Sequence, residues 1–191
     1  HVSDSTIIGF SHTHLSGTGI GDLGDILIMP ATGTVYTNKG TAAKPGYLSF
    51  FSHSDETVKA GYYSVRLKKN NIKAELTATT RVGFHQYTFP ASESSHFIID
   101  LVEGIGWDRP MEGYISKLND STLVGYRFSK GWANDQRIYF AMVFSKPFKQ
   151  LSLYTNNAPQ AGDVANGDTV KAVVHFPTTK DEMIKVKVAI S

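Results

Sequence analysis

The sequence predicts an all-β fold, a large two-sheet antiparallel β-sandwich, and three observations carry that prediction. Apolar and polar residues alternate with period two from end to end, and turn residues separate the alternating runs. No long segment shows the i, i+3, i+4 apolar repeat of an amphipathic helix. About a dozen such runs are more than a small barrel uses and suit two packed sheets with Greek-key or meander connections.

In chain order, strands are predicted over Ile26 to Met29, Tyr47 to Phe51, Tyr62 to Lys69 and Ile72 to Thr80. The last of these has one apolar face (Ile72, Ala74, Leu76, Ala78) and one polar face (Lys73, Glu75, Thr77, Thr79), as a half-buried strand requires. Asn70 and Asn71 tolerate positive φ, so the two strands flanking them are predicted to form a hairpin closed by a two-residue turn. Further runs cover Arg81 to Phe89, Phe97 to Val102, Gly113 to Leu118, Leu123 to Phe128 and Arg137 to Phe144, with a second hairpin around Asn119 and Asp120. Gln150 to Thr155 and Val170 to His175 follow. The final run points Ile184, Val186, Val188 and Ile190 one way, and Lys185 and Lys187 the other. Asn156 to Asp168, rich in Asn, Gly, Ala and Pro, reads as one long surface loop. With no internal repeat and no charge block, residues 1–191 read as a single domain.

Composition removes several function classes. Nineteen basic and 17 acidic residues give a net charge of +2 with no basic stripe, so no nucleic-acid partner is expected. No apolar stretch approaches the roughly 20 residues of a spanning helix, so no membrane span is expected. The absence of cysteine excludes disulfides and thiolate metal sites. A chain of this length buries roughly 70% of the surface its unfolded form exposes and needs no cross-link to fold.

Chemistry concentrates in residues Gly9 to Pro30, GFSHTHLSGTGIGDLGDILIMP. His12 and His14, one residue apart, project to the same side of an extended segment. They read either as two nitrogen ligands of a transition metal or as one packed imidazole and one bonded to a loop backbone. Ser16 to Gly24 holds four glycines that let backbone approach a ligand closely, and Asp22 and Asp25 offer oxygen ligands without EF-hand spacing. The run is neither a Walker loop nor a dinucleotide fingerprint. Elsewhere, Asp100, Glu103, Asp108, Glu112 and Asp135 are carboxylates without a supporting motif, and Asp135 reads as bracing a turn. Trp107, in the turn Gly106 to Pro110, is the candidate for stacking on a sugar ring. Trp132 and the alternating tyrosines read as core and inter-sheet packing.

The run resembles the signature of glycoside hydrolase family 92, in which a similar S-H-T-H-L-x-G-T-G stretch precedes D-L-G-D. Four more blocks resemble the same family in the same order. They are Phe51-Ser-His-Ser-Asp-Glu56 with Gly61-Tyr-Tyr63, Ala74 to His85 with Tyr87-Thr-Phe-Pro90, Gly131-Trp-Ala-Asn-Asp-Gln136, and Phe144-Ser-Lys-Pro-Phe148. The resemblance implies a galactose-mutarotase-like supersandwich, the N-terminal domain of an inverting, calcium-dependent exo-α-mannosidase. It implies α-mannosides of N-glycans or mannan as substrates and an extracytoplasmic location, periplasmic or secreted. It also implies that the catalytic acid and base, and most of the calcium site, belong to a C-terminal (α/α)6 barrel, and that this chain is the sandwich alone, truncated at both ends.

On that basis no catalytic residue and no metal ligand is expected within the chain, and no cofactor is expected for the chain alone. His12, Thr13, His14, Ser16, Gly17, Thr18, Gly19, Asp22 and Asp25 are candidates for the substrate pocket or the interdomain contact. Two other readings compete: a free-standing mannan-binding or carbohydrate-binding module built around Trp107, and a small metalloenzyme built on His12 and His14.

Overall fold

The computed structural model describes residues 3–14 and 23–191. Alternating sequence becomes sixteen strands with a single 3-10 turn, His53–Asp55, among the described residues. The strands are β1 (Thr6–Ile7), β2 (Leu27–Ala31), β3 (Ser49–Phe50), β4 (Thr57–Lys59), β5 (Tyr62–Leu67), β6 (Ile72–Ala78), β7 (Val82–Phe89) and β8 (Ser92–Asp100). They continue as β9 (Arg109–Asn119), β10 (Thr122–Lys130), β11 (Gln136–Phe144), β12 (Gln150–Thr155), β13 (Ala158–Gln160), β14 (Val164–Gly167), β15 (Val170–Thr178) and β16 (Glu182–Ile190).

A nine-stranded sheet runs β14-β9-β10-β11-β16-β7-β6-β5-β4 and a five-stranded sheet runs β13-β12-β15-β8-β2, while β1 pairs with β3 as a small third ribbon. Every pairing is antiparallel. The inner faces meet around Phe97 of β8, which is fully buried and lies 5.1 Å from Tyr87, 5.4 Å from Phe89, 5.5 Å from Phe144 and 5.7 Å from Phe176 between ring centroids. Three of those neighbours belong to the opposite sheet, so one ring joins the two layers.

The outer face of the five-stranded sheet is covered by the long connection between β2 and β3. Asp100 and Lys171 sit side by side on that face, 3.1 Å apart and buried. The Tyr47 hydroxyl donates to Asp100 at 2.9 Å, and the Lys171 ammonium donates to the Thr37 carbonyl at 2.5 Å. Charges placed beneath a loop need such partners, because an unpaired one costs several kcal/mol.

Three sequence expectations change. The connection between β5 and β6 has four residues, 68–71, since Leu67 pairs with Ile72, and only Asn71 has positive φ (52°). The same dipeptide at Asn156-Asn157 makes the two-residue hairpin instead, with φ of 54° and 59° and Thr155 paired to Ala158. The predicted loop Asn156 to Asp168 consequently contains two short edge strands. Of these, β13 pairs with β12 in one sheet and β14 with β9 in the other. Short strands and a proline, Pro159, are ordinary on an edge. Trp132 is 62% exposed, because it sits in the turn beyond the β10-β11 ladder and not at an inward strand position.

Among the tyrosines, Tyr47 and Tyr87 are buried as expected, whereas Tyr114, Tyr126 and Tyr139 line the outer face of the large sheet. Among the described residues no helix is long and apolar enough to cross a membrane.

The central position of Phe97 predicts that Phe97→Ala lowers unfolding free energy by about 3–5 kcal/mol, read from urea denaturation midpoints at unchanged m-value. A conservative Phe97→Leu should cost clearly less.

Candidate functional site: a ribbon pinned by a buried guanidinium

The glycine-rich run folds back on itself. Phe10 pairs with Ile28 and His14 with Leu23, and the His12 amide donates to the Asp25 carbonyl at 2.9 Å. Residues 10–14 and 23–28 therefore form an antiparallel ribbon beside β2. Its returning arm is strained: Leu23 (φ 72°) and Ile26 (φ 56°) lie in the left-handed region, along with Gly24 (φ 92°). For a β-branched residue that conformation is costly, of order 1–3 kcal/mol, and persists only when its surroundings fix it.

Two networks supply the fixing. In the first, Arg127 of β10 is fully buried between the sheets. Its Nε donates to the Leu101 carbonyl at 2.8 Å, one terminal nitrogen to Asp25 at 2.5 Å and the other to Asp108 at 2.5 Å. The second oxygen of Asp25 accepts from Thr13 Oγ1 at 2.5 Å and Gln136 Nε2 at 2.6 Å. One cation thus ties the ribbon, the loop 101–108 and the start of β11 together.

In the second network the His12 ring bonds Ile26 and His85. Because a carbonyl only accepts, His12 Nδ1 carries the hydrogen donated to the Ile26 oxygen at 2.6 Å. Neutral His12 then offers a lone pair at Nε2, which accepts from His85 Nε2 at 3.0 Å, and His85 Nδ1 accepts from the Tyr87 hydroxyl at 2.7 Å. The two imidazoles are near parallel (17°) with centroids 4.9 Å apart, an edge-to-edge contact through nitrogen. Burial pushes the His12 pKa down to about 4 and that of His85 to about 3, the latter also because His12 lies beside it. Both are neutral at ordinary pH. Gly83 makes room for them, since a Cβ there would stand 2.8 Å from the His12 ring.

Because five strands cannot cover nine, the inner face of β4 to β7 is left partly open, and a groove of about 440 Å³ lies there against the ribbon. Phe10, His12, Tyr63, Leu76, Gly83 and His85 line it.

A profile of the glycosyl hydrolase family 92 N-terminal domain matches residues 1–191. The chain belongs to glycosyl hydrolase family 92. Among solved structures it is similar to the family 92 α-mannosidase BT3965 of Bacteroides thetaiotaomicron, at 36% identity over 100% of this chain and 27% of that one, with a TM-score of 0.95. The same enzyme in complex with mannoimidazole matches at the same identity and TM-score, over 99% of this chain and 26% of that one. The inverting family 92 mannosidase BT2199 of the same organism matches at 25% identity, over 99% of this chain and 24% of that one, with a TM-score of 0.80. The chain thus spans about a quarter of the length of these relatives. A search of curated proteins returned no match.

Within this family 92 domain the predicted site residues separate. Asp25 is wholly buried with both oxygens taken, Thr13 is half-buried against it, and His14 is exposed. Ser16, Gly17, Thr18, Gly19 and Asp22 lie outside the described residues. Trp107 is 54% exposed. His12 meets His85 and the Ile26 carbonyl, and among the described residues no three His, Asp or Glu side chains converge as metal ligands would.

The candidate carboxylates are all engaged: Asp100 by Lys171, Glu103 by Lys39, Asp108 by Arg127, Glu112 by the Tyr126 hydroxyl and Asp135 by Arg137. Sequence reasoning missed Arg127, Gln136 and His85. Strand parity carried a signal for two of them, since Arg127 falls in step with inward Leu123 and Gly125, and His85 with Tyr87 and Phe89.

Arg127→Met should cost about 3–5 kcal/mol of stability, because it leaves two carboxylates buried without their cation. Denaturant melts check this, and added Asp25→Asn and Asp108→Asn should recover part of the loss. The histidine pair predicts a pH dependence with a definite sign. The folded state refuses protons that the unfolded chain takes up below about 6.5, so stability is full above that pH. It falls as pH drops toward 4, by no more than about 1.4 kcal/mol per unit for each imidazole. Melts from pH 7 to 4.5 should show a shallower slope in His85→Leu than in the unsubstituted chain.

Proposed function

We propose that this domain forms one wall of the active site of an inverting exo-α-mannosidase that removes terminal mannose from α-mannosides of N-glycans or mannan. In this reading a C-terminal (α/α)6 domain supplies the acid, the base and the calcium ion, and the enzyme works outside the cytoplasm. The supporting observation is the end-to-end match of the chain to about a quarter of an α-mannosidase, which has also been solved with mannoimidazole.

The chemistry of the described residues agrees with this division. Inversion needs one carboxylic acid at the leaving oxygen and one carboxylate activating water, roughly 6.5–9.5 Å apart across the sugar. Here Asp25 and Asp108 are already spent on Arg127, and Asp100 on Lys171 and Tyr47. Asp25 cannot hold calcium either, because Arg127, Thr13 and Gln136 occupy both its oxygens. What the domain contributes is shape: a ribbon clamped at Asp25 and His12 that presents its outer edge, with exposed His14, as a fixed surface against which water is excluded.

A polypeptide carrying this domain and the barrel should release mannose from α-mannobiose, appearing first as the β-anomer by proton NMR, and should lose activity on calcium chelation. The 191-residue chain alone should release none. Mannose release by that chain would overturn the reading, whereas retained α-anomer would remove only the inverting assignment. The competing reading, a free-standing binding module, draws on the exposure of Trp107, and it requires mannan binding with no activity in the longer polypeptide.

A further inference from the structure

The inner face of the nine-stranded sheet is covered unevenly, and one cross-strand row records it. Val186, His85, Leu76, Tyr63 and Val58 stand opposite one another in turn across β16, β7, β6, β5 and β4. Val186 is wholly buried, His85 is 4% exposed, Leu76 and Tyr63 are half-buried, and Val58 is 75% exposed. Cover is lost along β6 as well: Ile72 and Ala74 are buried, Leu76 is half-buried and Ala78 is exposed. Residues two apart on a strand share a face, so a single sheet face passes out from under its cover toward β4 and toward Ala78.

One exposed valine is ordinary, but an apolar face that continues from the core into an open groove of about 440 Å³ favours a partner. The groove's charge has one sign. Lys59 and Arg81 line it and no carboxylate does, and neither cation's side chain has an ion-pair or hydrogen-bond partner among the described residues. Lys59 begins the β4-β5 turn and Arg81 lies in the β6-β7 turn. The first turn is tied to β6 by the Thr77 hydroxyl, which donates to the Gly61 carbonyl at 2.6 Å. Apolar side chains with carboxylates beside them would complement such a groove.

The place where β16 ends indicates which polypeptide supplies them. Ile190 lines the groove, and its amide donates to the Arg81 carbonyl at 2.9 Å. Ser191 exchanges both backbone hydrogen bonds with Tyr139 at 3.0 Å, so any continuation of the chain starts at the rim of the groove. This chain covers 27% and 24% of the two mannosidases matched above, and its family model is that of an N-terminal domain, so most of each relative follows the matched part. A second copy suits the groove less well. A two-fold contact through this face would bring the Lys59 and Arg81 side chains of both copies together with no carboxylate to offset them.

We infer that the groove is the seat of the polypeptide following Ser191 in the full-length protein. A segment of it covers Tyr63, Leu76 and Ala78 with apolar side chains and pairs carboxylates with Lys59 and Arg81. The inference rests on the reading under Proposed function that a C-terminal domain follows this one.

The test exploits the absence of cysteine from the chain, which makes Ala78→Cys a single thiol in the groove. The 191-residue chain carries one continuous core and folds as a unit, so it can be compared with a polypeptide that also carries the C-terminal domain. Modification of Ala78→Cys by a thiol reagent, followed at that position by mass spectrometry, should be about tenfold slower in the longer polypeptide. Val58→Cys should behave alike. Lys59→Glu combined with Arg81→Glu should return most of the lost reactivity, since both cations are exposed and their reversal repels an acidic segment. Equal rates in the two polypeptides overturn the seat. Protection in the 191-residue chain that grows with protein concentration also overturns it, because a second copy then fills the groove. Protection indifferent to the charge reversal overturns the acidic character of the segment. Protection in a longer polypeptide that releases no mannose upholds the seat and counts against the mannosidase reading, and mannose release without protection does the reverse.

Discussion

The architecture around the ribbon depends on one buried guanidinium. Placing an arginine and two carboxylates between sheets removes three ions from water, a cost of several kcal/mol each, and only close pairing offsets it. Arg127 achieves this by using both faces of its fork and its Nε at once, on Asp25, Asp108 and the Leu101 carbonyl. Those partners sit on two segments, Asp25 on the ribbon and Leu101 and Asp108 on the loop 101–108, so satisfying the charge and closing that end of the sandwich are the same event. The left-handed Ile26 backbone is held between this pair and the His12 hydrogen bond, and would relax without them.

The β character of the chain was legible because burial on one face writes itself as alternation, and the strands at Ile72, Gln150 and the C-terminus appear almost where the pattern puts them. What alternation does not encode is connection. Two Asn-Asn pairs look alike in sequence, yet only the one at 156–157 has strand partners in register to close a two-residue turn. Nor does composition separate a surface loop from the two short edge strands within residues 156–168, since edge strands are built from the same polar and small residues. Trp132 misled because aromatic character suggests burial, while its place beyond the end of a ladder decides otherwise.

The site was half legible. The motif around His12 led to the right family, and adjacent histidines suggested a partnership within the motif. The partner is instead 73 residues away, on a strand whose inward parity aims His85 at the ribbon. A charged or imidazole side chain at an inward position of an otherwise apolar strand face is the signal to follow, because it must find a buried partner contributed by some other element. Applied to β10 and β7, that rule singles out Arg127 and His85, the two residues that hold the ribbon in place.

The segment from Asn156 to Asp168 leaves one edge of the small sheet as β13 and enters one edge of the large sheet as β14, stitching the two layers together along that side. Along the opposite side β2, the edge of the small sheet, leads through β3 to β4, the edge of the large sheet, and Asn70 and Lys68 of the β5-β6 turn donate to the carbonyls of Thr32 and Phe50 in that connection. The chain thus crosses from layer to layer along both margins, so sliding one sheet over the other is opposed at either edge by the backbone itself.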